Sequence, residues 1–222
     1  MDQNLSHVTS SARIPRLLIA ETNVGTVESL VQTLEDRRLD IDYEVCTSHD
    51  CAVMKLFHSP PPYQIVISSV HLAMINNFFL LKHNYHRQPF VPFVITAGMS
   101  EINSSRRALE EGAFDLIPTP LEHEQTVSTI RLSLWHHKLR VLITSRDNAI
   151  DRYHQHLDNY PGNRNGEAFQ KILRSIEESI ASHKQTIERI EASIQCLADF
   201  DQAFGKMTRE RALERLDKAT RP

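Results

Sequence analysis

The sequence is poor in most of the residues that announce a function outright. It holds only three cysteines, Cys46, Cys51 and Cys196. They are too few and too scattered for a disulfide framework or a cysteine-based zinc site, and they read as buried or free thiols in a reducing cytosol. The six glycines form no phosphate-cradling loop. No nucleophile elbow and no zincin motif occurs either. These absences point away from an enzyme and predict no cofactor and no metal. No apolar run approaches the roughly 18 residues of a membrane span. A net charge of -3 exerts no overall pull toward nucleic acid or membrane. Residues 1–14 are polar and lack the apolar centre of a signal peptide, so a disordered leader is expected. A soluble, cytoplasmic protein follows as the expectation.

What is present is a core. Apolar residues make up 41% of the 222-residue chain and charged residues 24%, enough for one α/β domain plus a substantial appendage. From Arg16 onward, short apolar runs alternate with segments of helical period. Leu17 to Ala20, Tyr43 to Val45, Ile65 to Ile67, Phe93 to Ile95 and Phe114 to Ile117 read as strands. Between them, Thr26 is placed to cap a helix carrying Val27, Leu30, Val31 and Leu34 on one face. Ala52, Val53, Leu56 and Phe57 line a second helix, which Pro60, Pro61 and Pro62 stop. A third runs through Phe78 and Leu81. The fourth is capped by Ser100 and ended by Gly112. Strands alternating with helices imply βαβ crossovers and a parallel sheet covered on both faces. Ligands of such sheets bind beyond the carboxyl ends of the strands, so the residues just after each strand carry the argument.

At those positions the sequence resembles a response-regulator receiver domain, over Arg16 to about Arg140. Leu17-Leu18-Ile19-Ala20-Glu21-Thr22-Asn23 stands where that family has a strand ending in an acidic pair. Gln64-Ile65-Val66-Ile67-Ser68-Ser69-Val70 stands where the strand bearing the phospho-acceptor belongs. Val94-Ile95-Thr96-Ala97 matches the hydroxyl-bearing strand end, and Gly112 to Pro120 matches the segment that ordinarily ends in Lys-Pro. The resemblance implies a five-stranded, doubly wound, flavodoxin-like fold and a place in two-component signal transduction. The departures all fall on the chemistry. Ser69 takes the place of the acceptor carboxylate, Thr22 that of the second acidic residue, Thr119 that of the lysine, and Leu116 that of the switch aromatic. Phosphoryl transfer to a carboxylate needs the nucleophile, a Mg²⁺ and a cation on the transferred oxygens. Glu21, Thr22, Ser69, Thr96, Thr119 and Pro120 therefore form a degenerate acceptor pocket, and a pseudo-receiver is expected. Prolyl bonds tolerate the cis form, which leaves Thr119-Pro120 free to adopt it.

The organisation expected from these signals is a leader over 1–14, a receiver-like domain over 15–125, an extended fifth helix over 126–160, a turn over 161–166, a coiled-coil helix over 167–204 and a basic tail over 205–222. Nothing stops the fifth helix where the domain should end, because Val127, Ile130, Leu134, Val141, Ile150, Tyr153 and Leu157 continue its apolar stripe. After the breaker at Pro161 to Gly166, a seam of Phe169, Leu173, Ile176, Ile180, His183, Ile187, Ile190, Ile194 and Leu197 follows coiled-coil spacing. Two long helices joined by a short loop make an antiparallel hairpin. The seam from Leu173 to Leu197 is expected to pair two copies of the chain, with His183 as a buried polar residue fixing register. A hairpin folding back on its own receiver is the alternative.

Twelve histidines invite a metal or phosphotransfer reading. His136 with His137, and His154 with His156, lack the i,i+4 spacing of helical metal pairs. From Lys206 the tail carries six basic residues against three acidic ones. Such a helix can attract nucleic acid electrostatically, but no helix-turn-helix pattern accompanies it. The expected function is a phosphorylation-independent signalling or scaffold protein that meets a protein partner of its pathway through the face around Glu101–Glu111. The alternative is a nucleic-acid-binding regulator using its C-terminal helices, as some receiver-like antiterminators do. A ligand sensor built on the altered pocket is a third.

Overall fold

The computed structural model describes residues 14–58, 63–88, 90–159 and 166–201. The leader before Ile14, the three-proline stop, the body of the 161–166 turn and the basic tail lie outside the described residues. Five strands, β1 (Arg16–Ala20), β2 (Asp42–Cys46), β3 (Ile65–Ser69), β4 (Phe93–Ala97) and β5 (Asp115–Pro118), alternate with α1 (Val24–Asp36), α2 (His49–His58), α3 (Val70–Arg87) and α4 (Ile102–Glu110). Every strand pair is parallel, in the order β2-β1-β3-β4-β5. The winding reverses between β1 and β3, which opens a crevice at their carboxyl ends.

Side chains that alternate along the strands feed two separate cores. Leu17, Ile19, Ile65, Ile67, Val94 and Ile117 point to one, where Leu30 and Leu34 of α1 meet them. Leu18, Val66, Phe93, Ile95 and Leu116 point to the other, packed beneath α2, α3 and α4. Burial on both faces is why β1, β3 and β4 read as continuous apolar runs rather than as an alternating pattern. β2, at one edge of the sheet, is the least buried strand, with Asp42 and Val45 exposed and only Cys46 fully buried. There Glu44 pairs with Arg16 and Lys55, and charge on the edge discourages further strand pairing.

Several local expectations need correction. Asn23, not Thr26, caps α1; its Oδ1 accepts the Thr26 N–H at 3.0 Å. Ser100 lies inside a 3-10 turn, Met99–Glu101, which precedes α4. Glu101 turns back so that its Oε2 accepts the Gly98 N–H at 2.6 Å. The third helix is not continuous: Ile75 is extended, and Asn76, Asn77 and Phe78 all have positive φ (50°, 55° and 62°). Asparagine tolerates that region, but a bulky residue does not. Burial of Phe78, 1% exposed beneath the Arg107 guanidinium, holds it there. The largest correction concerns the thiols. Cys46 and Cys51 form a disulfide, with Cα atoms 5.6 Å apart.

The second half is a helical hairpin. α5 spans His123–Asn159 and α6 spans Glu167–Asp201. The first part of α5 belongs to the domain: Val127 and Ile130 are buried, and Thr33 Oγ1 lies 2.8 Å from His123 Nδ1. Beyond the sheet, α6 packs on α5. Ser145 Oγ lies 3.2 Å from His183 Nε2, and the Tyr153 hydroxyl donates to Glu177 Oε1 at 3.2 Å. Leu173, Ile187 and Ile190 are buried, while Ile176, Ile180 and His183 are half-buried. The side chains of Ile194 and Leu197 lie outside what is described. The seam thus has an occupant within its own chain, namely α5. No described helix is long and apolar enough to cross a membrane.

Candidate functional site

The crevice at the carboxyl ends of β1, β3, β4 and β5 is a cavity of about 420 Å³. Five of the six residues expected there line it: Glu21, Thr22, Ser69, Thr96 and Thr119. The sixth, Pro120, follows Thr119 through a cis peptide bond and is exposed. The lining also includes Asn23 and Ala97 from the same strand-end segments, and Thr26, His71 and Glu101, which the strand-end argument did not supply.

Glu21 organises the floor. Its carboxylate is 5% exposed, yet both oxygens are satisfied from within the chain. Oε2 accepts the Thr96 hydroxyl at 2.7 Å, and Oε1 accepts the Asn23 N–H at 3.0 Å. The Glu21 N–H in turn donates to the Cys46 carbonyl at 2.9 Å, which ties the β1 end to the edge strand. A buried carboxylate without such partners would cost several kcal/mol, on the order of an unpaired buried charge. Thr96 therefore has a definite task, tying the end of β4 to the residue after β1 across the end of β3.

Ser69 has a structural task as well. It is the N-cap of α3, and its Oγ accepts the Leu72 N–H at a long 3.4 Å. Ser69 is 5% exposed, and its hydroxyl is engaged in this cap. In the same lining, His71 Nε2 stands 2.6 Å from Glu101 Oε1, bridging the start of α3 to the turn before α4. Thr119 approaches the same turn closely enough that a Cβ on Gly98 would lie 3.4 Å from its Oγ1. Glu101 was detectable in principle. Gly98-Met99-Ser100-Glu101 has the three-residue offset of a capping box, which returns a carboxylate to the N-cap amide.

This strand order, with a site at its switch point, decides the fold. The domain has the fold of a response-regulator receiver domain. Solved structures agree in shape. The receiver domain of an HD domain-containing protein from Pseudomonas fluorescens superposes with a TM-score of 0.52 at 20% identity, covering 60% of this chain and 95% of that one. NtrX from Brucella abortus, solved with ADP, gives a TM-score of 0.52 at 17% identity, over 68% of this chain and 36% of that one. Among curated proteins, the DNA-binding transcriptional regulator NtrC of Proteus hauseri is 22% identical over 158 residues, 69% of this chain and 32% of its own length. The Escherichia coli K12 protein of that name is 24% identical over 95 residues, 20% of its length. The chain thus spans about a third or less of the curated relatives it matches. No family model matches it.

Receiver domains as a family imply a Mg²⁺ here, and the donor set does not fit one. Mg²⁺ takes six oxygens at near-octahedral geometry, usually through carboxylates and water. Glu21 offers the sole carboxylate at the three positions where the resemblance implies one, and both of its oxygens are already engaged. Among the described residues no group of three His, Cys, Asp or Glu side chains converges on a point.

Proposed function

We propose that this protein is a phosphorylation-independent regulator of signal transduction, which works by binding a protein partner and pairing with a second copy of itself. On this reading it is not an enzyme, carries no resident cofactor, and acts in the cytoplasm. The observation that carries it is the internal closure of the pocket. Glu21 is bonded to Thr96 and to the Asn23 amide, and Ser69 is spent on capping α3. Where a working receiver keeps a nucleophile, a metal and a cation, this pocket supports its own walls. What remains for function is surface. The exposed side of α4, with Asn103, Arg107, Glu110 and Glu111, is polar and accessible. Pairing of copies rests on the hairpin: Ile176 and Ile180 stay half-buried against α5, while Val141 and Ile172 are 43% and 44% exposed. Two amphipathic helices rarely bury their apolar stripes alone, and a four-helix arrangement completes them.

The test combines two measurements on the full chain. Incubation with a small phosphodonor and Mg²⁺ should leave the intact mass unchanged, and light scattering at micromolar concentration should give twice the chain mass. A stable acyl-phosphate would sink the first half of the proposal, and a strict monomer the second. A second reading is favoured by the names of the curated relatives, which are DNA-binding transcriptional regulators. Together with the basic residues from Lys206 to Arg221, it predicts salt-dependent binding to DNA or RNA. Retention of that binding after deletion of residues 206–222 would exclude the tail as its source.

A further inference from the structure

Neither the fold nor the proposed function makes use of the two bonded cysteines beside the pocket. We infer that Cys46 and Cys51 form a reversible dithiol–disulfide site, whose co-reactant is a low-molecular-weight thiol/disulfide couple of the glutathione class. A cytoplasmic setting, which belongs to the proposed function, disfavours permanent disulfides, so a pair placed to bond there is expected to cycle.

The two sulfurs are chemically unequal. Cys46 ends β2 and is 2% exposed. Cys51 is half-buried and stands third in α2, its N–H donating to Ser48 Oγ at 3.3 Å. A cysteine in the first turn of a helix has its thiolate favoured, and accessibility decides which sulfur is attacked. Reduction therefore begins at Cys51. A thiolate forms a bond to Cys51 Sγ, the Cys46–Cys51 bond breaks, and Cys46 leaves as a thiolate that takes up a proton. A second thiolate then attacks the external sulfur of the mixed disulfide and releases Cys51. Two thiols become one small disulfide, and the protein gains two electrons and two protons. Oxidation runs the same path backward, with Cys51 attacking and Cys46 resolving.

The state of this site reaches the pocket through one bond. The Cys46 carbonyl accepts the Glu21 N–H, and the Glu21 carboxylate accepts the Thr96 hydroxyl. With the crosslink closed, the end of β2 and the first turn of α2 are pinned together across the Thr47-Ser48 turn, immediately beside that chain of bonds. With it open, the turn is held by Ser48 capping, the sheet ladder, the Lys55–Glu44 ion pair and the burial of Ala52 and Leu56, without a covalent tie.

The experiment uses the full chain carrying Cys196→Ser, equilibrated in mixtures of reduced and oxidised glutathione, quenched in acid and alkylated. Intact mass and peptide mapping should show Cys46 and Cys51 passing together from fully protected to fully alkylated, with far-ultraviolet circular dichroism showing the fold retained throughout. Adding Cys46→Ser should let a glutathione adduct accumulate on Cys51. Adding Cys51→Ser should slow adduct formation on Cys46 by about tenfold or more, because its sulfur is buried. Amide exchange at Glu21 and in the first turn of α2 should quicken on reduction. The inference is overturned if the pair resists reduction until the protein unfolds, or stays a dithiol in every mixture. Equal adduct rates at the two positions would overturn the assignment of Cys51 as the entry point. If a serine variant fails to fold, the titration of the two-cysteine chain decides alone.

Discussion

Removing the Thr96 hydroxyl tests the central claim about the pocket. Thr96→Val keeps the shape of the side chain, which is 2% exposed, and deletes one donor to a buried carboxylate. A hydrogen bond to a charged group contributes about 1.5–3 kcal/mol, and the added methyl returns at most about 0.8 kcal/mol. The expected net loss is about 2 kcal/mol, or roughly 4–8 °C in melting temperature for a chain of this size. Glu21→Gln should cost less, near 1 kcal/mol, because the amide oxygen still accepts one donor while its NH₂ can donate to a reoriented Thr96. In a double-mutant cycle the two changes should couple by about 1–2 kcal/mol. Urea titration is the assay, followed by fluorescence of Trp135, the single tryptophan, which lies on the part of α5 near the sheet. Far-ultraviolet circular dichroism in parallel reports whether the hairpin melts separately. A Thr96→Val protein within about 0.5 kcal/mol of wild type, or strict additivity in the cycle, would refute the idea that Glu21 and Thr96 hold the pocket together.

Other expectations follow from the same structure. Millimolar Mg²⁺ should leave the melting temperature unchanged, since a ligand without a site adds nothing to the folded state; a rise that tracks metal concentration contradicts this. His136 is pushed below its usual 6.5 by burial, then by Arg140 and His137, and His137 by burial, against a hydrogen bond with the Phe90 carbonyl. A depressed folded-state pKa means that the unfolded chain protonates first. The stability these residues contribute is present above pH 6.5 and is lost as pH falls toward the folded values. Urea midpoints across that window should fall, and replacing both with Gln should flatten the slope; an unchanged slope counts against the assignment. Gly112 has φ of 108°, so Gly112→Ala should destabilise the α4–β5 turn by about 1 kcal/mol or more, readable as a lower urea midpoint at constant m-value. If two copies pair as proposed, Val141→Lys with Ile172→Lys should give a monomer in light scattering without lowering the domain's stability, because both side chains are exposed in one chain. Twice the chain mass retained by this variant would exclude Val141 and Ile172 from the proposed contact.

The sheet was legible because its chemistry is local. A strand buried on both faces must be apolar at every position, and Leu17 to Ala20 and Ile65 to Ile67 can hardly be anything else between turn signals. The pocket was legible to the same depth, since parallel winding brings the strand ends together. Glu21, Ser69, Thr96 and Thr119 needed only their places after strands. His71 reaches the pocket from the first turn of α3 and Glu101 from the 3-10 turn before α4, and a strand-end argument does not look there. The break in α3 was hidden because its cause is tertiary: Phe78 accepts a costly backbone in return for a place in the core. Cys46 and Cys51 were misread because a spacing of five residues carries no pairing information until strand and helix fix their Cα atoms 5.6 Å apart. The heptad seam of α6 specifies that an apolar face is covered and leaves open by which helix. In this chain the cover begins with α5.

The substitutions in the pocket are also mutually consistent, which bears on whether they are decay or design. The resemblance implies three carboxylates and a lysine at the inherited positions, and this chain has Glu21 with Thr22, Ser69 and Thr119. Had only the acceptor been lost, a lysine would be left buried beside fewer carboxylates, and two adjacent acids would repel each other without a metal. Removing the second acid and the cation together leaves one buried charge, and that charge is satisfied by one hydroxyl and one amide. Ser69 keeps the capping capacity that a carboxylate at the same place would have had. Glu101 adds a second carboxylate only at the rim, already engaged with the Gly98 amide and His71. Each change removes a need that another change would otherwise have left unmet. A pocket decaying at random would be expected to leave unpaired charge behind and to weaken the sheet around it. Here the strand ends stay bonded across β2, β1 and β4 through Cys46, Glu21 and Thr96, which is what the proposed phosphorylation-independent surface requires.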